Sequence, residues 1–481
     1  DWWPLQRFAL RNARSAIGQL VLEKIPFLLL SAASCPVTIW AQKDIVRSLE
    51  QIGFPLRVGN ALTSYLTYIG KMFYPVGLAA LYPYPEKGVV LWKVMVSVLF
   101  LLLVSVGVVA GWRKHPYLLT GWLWYLGMLV PVIGLMQVGN QAMADRYTYL
   151  PQIGLYIMMA WGCVDFFGSR RYRRSLLGTC AATIVVILLV VAHVQATYWR
   201  NGITIMTHAI ACTSDNFIAY DNLGVVLATQ GHLPEAIEQY ERSLQINPRF
   251  FAAHDNLAVA LSNQGKIGEA IEHYERALQS KPKDAETHNN LANVLVPQGK
   301  IIEAIEHYER AIQLKPDYFD AHYNLGNALA NQGKMVEATQ QYEQAIQIKP
   351  DHAEAHNNLA NVLVNQGKMV EAIEHYKRAI QIRPDYFEAH FNLGNTLATQ
   401  GNLAEAIGEY DRAIQIRPDY VYAHFSLANT LARQGDLAEA VQHFQKALDL
   451  ATAQKNDELA AMIRRRLESY ELPLREIPSP P

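Results

Sequence analysis

Hydrophobic and polar positions follow two different rules along this chain. In the second half a glycine recurs every 34 residues, at Gly231, Gly265, Gly299, Gly333, Gly367, Gly401 and Gly435. An aromatic follows each one nine residues later, from Tyr240 to Phe444, and a proline closes six of the seven units, from Pro248 to Pro418. Between these markers the apolar residues recur at helical spacing, so each unit predicts a helical hairpin that buries its apolar face only against its neighbours. The first two hundred residues instead carry long unbroken apolar runs. Gln19–Trp40, Val89–Gly111, Tyr117–Gly139, Thr148–Phe167 and Leu176–Ala196 each match roughly one bilayer-spanning helix. Val58–Ala80 is a sixth candidate, but Lys71 and a Tyr-rich face make it amphipathic.

With Phe217 as position 1, the units run 217–250, 251–284, 285–318, 319–352, 353–386, 387–420 and 421–454. Position 7 is Leu, position 8 is Gly or Ala, position 20 is always Ala, and position 27 is Ser243 and then Ala. Small residues at those places let two helices approach closely while Leu and Tyr fill the remaining volume. The glycine suits the interhelical turn and the proline stops the second helix. This pattern resembles the tetratricopeptide (TPR) repeat, with Tyr220 and then His in place of its usual position-4 Trp. The expected fold is all-α: a multi-span helical membrane domain (1–198), a half-repeat capping helix (199–216), seven TPR repeats forming an α-solenoid (217–454), and a cap helix with a disordered tail (455–481). The cap helix is expected over Asn456–Tyr470 with Asp457 as its N-cap, and Pro297 predicts a shortened first helix in its unit.

The net charge of −1 conceals an asymmetry. Residues 1–200 carry 18 Lys and Arg against 7 Asp and Glu, and the remainder 24 against 36. Arg113-Lys114-His115, Arg170–Arg174 and the Arg-rich start predict three cytoplasmic segments. They agree if five segments span and Val58–Ala80 lies at the outer interface or re-enters. The repeats then fall outside the cytoplasm, with the chain in the plasma membrane, which in a bacterium is the inner membrane. Six full spans are the alternative, with the Arg-rich start outside. Asp1-Trp2-Trp3-Pro4-Leu5 reads as a loop following an earlier helix, so the chain is expected to be the C-terminal portion of a longer membrane protein.

Cys35, Cys163 and Cys180 fall in expected spans and Cys212 in the half-repeat helix, with no zinc or disulfide spacing. No phosphate loop, nucleophile elbow or metalloprotease motif occurs, and no metal, cofactor or nucleic-acid partner is expected. Histidine recurs at position 4 (His254 to His424) and position 23 (His273, His307, His375, His443). Successive layers stand about 8–10 Å apart, too far to share one metal, so packing or surface roles are expected.

Asparagine is the sharper signal. Asn222, Asn256, Asn290, Asn324, Asn358 and Asn392 share position 6, and Asn293, Asn327, Asn361, Asn395 and Asn429 share position 9 on the same helical face. A carboxamide can both donate to and accept from a peptide unit, so the ladder can hold an extended chain without reading its side chains. Capping or bridging of neighbouring helices is the other reading. The register resembles the TPR array of O-GlcNAc transferase, and that resemblance implies peptide contacts at Asn222, Asn256, Asn290, Asn324, Asn358 and Asn392.

In the outer loop between the third and fourth expected spans, Asp145, Arg146 and Tyr147 suit a lipid-linked phosphate, with Arg146 on the phosphate. A structural Asp–Arg brace fits those residues equally. The order of parts resembles the transmembrane and TPR-containing (TMTC-type) protein O-mannosyltransferases and their bacterial relatives. The likeness rests on the Trp-Pro-Leu loop, the Glu-Lys-Ile-Pro-led span, the Ala-Asp-Arg-Tyr-Thr-Tyr-Leu-Pro segment and the repeats that follow. The resemblance implies a polyprenyl-phosphate sugar donor, a protein acceptor held by the TPRs, and a catalytic acidic loop upstream of Asp1. Two function classes follow: the acceptor-recruiting part of a membrane glycosyltransferase, or a membrane-anchored TPR scaffold without chemistry.

Overall fold

The computed structural model describes residue 25 and residues 53–83, 88–133, 141–167 and 173–475. Apart from Ile25, the expected span Gln19–Trp40 lies outside the described residues, as do Arg170–Tyr172 and 476–481. The chain divides into two compact units, Asp1–Ala260 and Leu261–Pro481.

The first unit opens with helices α1 (Phe54–Phe73), α2 (Leu91–Gly111), α3 (Pro116–Leu129), α4 (Pro151–Phe167) and α5 (Arg173–Tyr198). A short antiparallel pair, β1 (Tyr82–Pro83) with β2 (Gln141–Met143), ties the loop after α1 to the loop before α4. Ala61, Tyr68, Val108, Trp122, Tyr125, Leu129, Ile133 and Leu155 form the core. Its polar groups are satisfied across helices: Tyr125 Oη donates to Tyr65 O (2.6 Å), Tyr65 Oη to Leu126 O (2.7 Å), and Trp122 Nε1 to Ser105 Oγ (2.8 Å).

Among the described residues, two helices, Leu91–Gly111 and Ser175–Tyr198, are long and apolar enough to cross a membrane, and only 11% and 0% of their apolar windows are buried. The third and fourth expected spans form shorter helices of 14 and 17 residues, below the roughly 20 that a bilayer needs. Pro131 follows the end of α3, and a proline lacks the N–H that would continue the ladder. At α4, residues 145–148 wind into a 3-10 turn and Pro151 starts the α-helix. The amphipathic segment is α1, which buries Arg57, Asn60, Ser64 and Tyr68 on its inner face.

α3 and α4 cross backbone against backbone. A Cβ built on Gly154 would lie 2.2 Å from Gly121 O, and one on Gly121 2.3 Å from Gly154 O. Close crossings of this kind need small residues. Gly154→Val should therefore cost about 1–3 kcal/mol or more through overpacking, read as a lowered thermal midpoint in detergent. Gly162→Val, where nothing lies within 4 Å of the built Cβ, should leave it almost unchanged.

The half-repeat helix is α6 (Gly202–Cys212), shorter than the expected Trp199–Asn216 because Asn201 and Thr204 close a capping box at its start. Ala209 is fully buried beside Ala79 and Ala219. His208 Nε2 donates to Leu78 O (3.1 Å) and Asn216 Nδ2 to Leu81 O (3.1 Å), so the capping helix is fastened to the loop that carries β1. α7 (Phe217–Thr229) and α8 (Leu233–Ile246) complete the first repeat. Ser243, the exception at position 27, is buried and donates to Phe217 O (2.8 Å).

α9 (Phe251–Asn263) has residues in both units. The second unit continues with α10 (Ile267–Ser280), α11 (Ala285–Leu295), α12 (Ile301–Leu314), α13 (Phe319–Asn331) and α14 (Met335–Ile348). It ends with α15 (Ala353–Asn365), α16 (Met369–Ile382), α17 (Phe387–Gln400), α18 (Leu403–Ile416), α19 (Val421–Gln434), α20 (Leu437–Ala453) and α21 (Asp457–Arg475). Ala304, Ala311, Ala338, Ala345, Ala372 and Ala379 are fully buried where the helices of a repeat meet. The turn glycines adopt left-handed φ, from +74° at Gly299 to +101° at Gly435, which side chains rarely tolerate.

α11 stops at Leu295, and Val296–Gln298 tightens into a 3-10 turn around Pro297, as its missing N–H predicts. α21 runs to Arg475, beyond the expected Tyr470. Its cap is Asn456, whose Oδ1 accepts from Leu459 N (3.2 Å); Asp457 lies inside the first turn, where an acidic group favours the helix dipole.

Candidate functional site

The position-6 asparagines are half-buried on the first helices of the repeats. In the second unit their amide groups bridge layers. Asn324 Nδ2 donates to Asn293 Oδ1 (3.1 Å) and Asn289 Oδ1 (3.3 Å) of the preceding repeat. Asn358 Nδ2 donates to Asn327 Oδ1 (3.1 Å) and Tyr323 Oη (3.1 Å), and Asn392 Nδ2 to Asn361 and Asn357 Oδ1, both at 3.2 Å. The position-9 oxygens also accept the core tyrosines: Tyr308 to Asn293 (2.7 Å), Tyr342 to Asn327 (2.6 Å), Tyr376 to Asn361 (2.6 Å) and Tyr410 to Asn395 (2.8 Å). The ladder therefore has a bridging duty that spacing alone left open.

The other end of each carboxamide alternates. Where position 5 is Asn, it donates sideways: Asn289 Nδ2 to Asn290 Oδ1 (3.4 Å) and Asn357 Nδ2 to Asn358 Oδ1 (3.2 Å). Where position 5 is aromatic, Tyr323 or Phe391, no described residue donates to Asn324 Oδ1 or Asn392 Oδ1. Half-buried acceptors left open in this way are suited to an incoming N–H.

In the first unit Asn256 Nδ2 donates instead to Asp221 Oδ1 (3.0 Å). Asp221 is buried, and burial pushes its carboxyl up to about 6, against the opposing pull of the Asn256 hydrogen bond. Asn222 is half-buried on α7. Spacing singled out neither Asp221 nor the hydrogen-bonding role of position 5; the change there from Asp221 and Asp255 to Asn289, Tyr323, Asn357 and Phe391, beside a constant Asn at position 6, was the available signal.

The histidines are brought together in pairs within the third, fifth and seventh repeats. The position-4 Nε2 donates to the proline carbonyl in the turn just before its own helix, as from His288 to Pro282 O (3.2 Å) and His356 to Pro350 O (3.1 Å), which leaves Nδ1 as an acceptor. Position 23 meets that nitrogen: His288–His307 at 2.9 Å, and His356–His375 and His424–His443 at 3.0 Å. Burial holds all six imidazoles below their ordinary pKa. In the sixth repeat Glu409 takes the second place, 2.6 Å from His390 Nδ1, and its carboxylate raises the His390 pKa despite burial. Among the described residues no group of three or more His, Cys, Asp or Glu could hold a metal.

In the loop before α4, Asp145 Oδ1 lies 3.0 Å from Lys71 Nζ and its Oδ2 accepts from Tyr82 Oη (2.7 Å). The brace here is thus Lys71 with Tyr82. The side chain of Arg146 lies outside the described residues, and Tyr147 is half-buried with its amide donating to Ala144 O (3.0 Å).

Fold and ladder together define a TPR protein-interaction array. Stretches 227–265, 261–299, 292–333, 331–367, 361–401 and 394–435 match the TPR repeat model, and 421–453 matches the tetratricopeptide repeat. A comparison with curated proteins returns no significant match. Among solved structures, the chain is similar to YrrB, a TPR protein with an unusual peptide-binding site (25% identity, TM-score 0.36, covering 40% of this chain and 99% of that one). It is also similar to MamA (26%, 0.33, 34% and 95%) and to pilF of Pseudomonas aeruginosa (21%, 0.40, 45% and 97%).

Proposed function

We propose that the repeats hold an extended protein segment by its main chain, outside the cytoplasm, as the acceptor-recruiting part of a polyprenyl-phosphate-sugar-dependent protein O-glycosyltransferase of the TMTC type. The open oxygens of Asn324 and Asn392 carry the peptide-holding reading. They recur two layers apart, about 20 Å, which an extended chain covers in roughly six residues. The membrane attachment is supported by the exposed apolar surfaces of α2 and α5 and by the basic segment at Arg113 and Lys114. For the donor lipid, the candidate site is Asp145, Arg146 and Tyr147, with Arg146 on the phosphate and Asp145 held by Lys71. A reporter active only outside the cytoplasm, fused after Tyr470, should be on; silence there rejects the topology.

The binding test compares two double variants. Asn324→Ala with Asn392→Ala removes two main-chain contacts at about 0.5–1.5 kcal/mol each, a loss of roughly 5- to 150-fold in affinity for peptides of unrelated sequence. Asn290→Ala with Asn358→Ala should weaken binding less, because those oxygens already have protein donors. Equal, undiminished binding by both variants would make the ladder a bridge between repeats and nothing more.

A further inference from the structure

The asparagine ladder ends in an arginine. In earlier layers the position-9 oxygen accepts from the next repeat's position-6 Asn, as Asn327 does from Asn358 and Asn361 from Asn392. After the last repeat there is no such Asn, and Arg466 Nε of α21 takes its place, donating to Asn429 Oδ1 at 3.2 Å. One donor of the guanidinium fork is used in that bond, and the exposed side chain keeps the others.

A cleft of about 1110 Å³ opens beside this substitution, between α19 and α21, lined by Tyr422, Phe425, Asn429, Met462, Arg465 and Arg466, with Glu458 at one side. Tyr422 and Met462 are 48% and 47% exposed, large apolar surfaces placed next to two exposed cations. The surrounding domain is acidic: residues 201–481 carry 24 Lys and Arg against 36 Asp and Glu, and Arg464-Arg465-Arg466 is their one run of three basic residues. Within this acidic domain, Arg465 and Arg466 offer an acidic ligand two adjacent exposed cations.

We infer that this cleft receives an acidic, apolar stretch of the same extended chain, its Asp or Glu side chains paired with Arg465 and Arg466 and its apolar side chains laid on Tyr422, Phe425 and Met462; the inference rests on the main-chain capture proposed above. Guanidinium–carboxylate pairing is directional and strong when partly desolvated. The ladder would then supply affinity without sequence preference, and the cleft would choose among segments and set their register.

Two fluorescent peptides with acetylated and amidated ends test this against the full chain in detergent. Both are neutral and identical over about ten residues; one ends in Phe-Glu-Leu-Glu and the other in Phe-Gln-Leu-Gln. About fourteen residues at roughly 3.3 Å each reach from the Asn324 layer into the cleft. The acidic peptide should bind about tenfold tighter or more at low salt, with the advantage shrinking as salt rises. Arg465→Gln with Arg466→Gln should erase the advantage, so that the two peptides bind alike. Arg465→Gln alone keeps the Arg466–Asn429 bond and should lose part of the advantage without lowering the thermal midpoint. Met462→Asp should weaken the acidic peptide selectively. The inference is overturned if both peptides bind the wild type equally while still depending on Asn324 and Asn392. It is also overturned if the advantage survives the double arginine variant, or if it appears only when the peptide has a free C-terminal carboxylate. Failure of both peptides to bind, or binding indifferent to Asn324 and Asn392, would instead overturn the main-chain capture itself.

Discussion

Leu325→Asp should destabilise the repeat array by about 4 kcal/mol or more. Leu325 occupies position 7 of the fourth repeat and is 2% exposed. Removing a buried Leu costs about 2–5 kcal/mol, and leaving an unpaired carboxylate there adds to it. The measurement is urea unfolding followed by circular dichroism. Because each repeat contacts only its neighbours, the transition should shift and broaden, with outer repeats surviving beyond the damaged one. Leu325→Met keeps apolar volume and should cost less than about 1.5 kcal/mol. A neutral Leu325→Asp would place the repeats in the wrong register.

The array should also lose stability in acid through its histidine pairs. His288–His307, His356–His375 and His424–His443 have imidazoles held below the ordinary value of about 6.5, first by burial. Neighbouring charge adds to this: Arg310 acts on His288 and Arg378 on His356, with Glu303, Glu374 and Asp411 opposing at His307, His375 and His443. The unfolded chain therefore binds more protons than the native one as pH falls. The contribution of these pairs is complete above about pH 6.5 and is lost as pH drops through their folded values, by at most about 1.4 kcal/mol per pH unit for each proton and less where solvent reaches the ring.

His390 acts in the opposite sense. Its folded value is raised, so its bond to Glu409 contributes fully below about pH 6.5 and is lost as pH rises through that value. One such pair against three leaves net acid sensitivity. The fourth repeat supplies the control, since Gln341 stands at position 23 there, 2.8 Å from His322 Nδ1. His307→Gln, His375→Gln and His443→Gln together should keep the unfolding midpoint at pH 7.5 and flatten its decline toward pH 5. An unchanged decline would assign the acid sensitivity elsewhere.

Several features were legible before any coordinates. The shortened helix at Pro297 follows from one missing N–H, and the fully buried alanines at positions 20 and 27 follow from the need for close helix approach. The loop brace was legible only in part. Asp145 was visible as a charged residue in an apolar region, but Lys71, its partner, is 74 residues away in sequence. The third and fourth expected spans were read longer than their helices because hydrophobicity alone does not register where Pro131 and the 3-10 turn before Pro151 break the backbone. The cap of α21 moved by one residue for a similar local reason, the choice between adjacent Asn456 and Asp457 as side-chain acceptor.

By itself the sequence determined the repeat: a 34-residue period dictates helical hairpins, because only that arrangement buries the same small and large residues in every unit. It also determined which residues share a face, since three- and four-residue spacing places Asn324 beside Asn327 whatever the environment. What each carboxamide does was decided only by the stacking of one repeat on the next. Asn324 reaches Asn293 and Asn289 across a layer, Asn290 takes its donor from its own neighbour, and Arg466 answers Asn429 across the end of the array. The pairing of His288 with His307 has the same origin, two helices of one hairpin turned face to face. Period and face are properties of a single helix, whereas a hydrogen bond between layers depends on the separation and rotation of two, which are set by how the alanines and tyrosines pack.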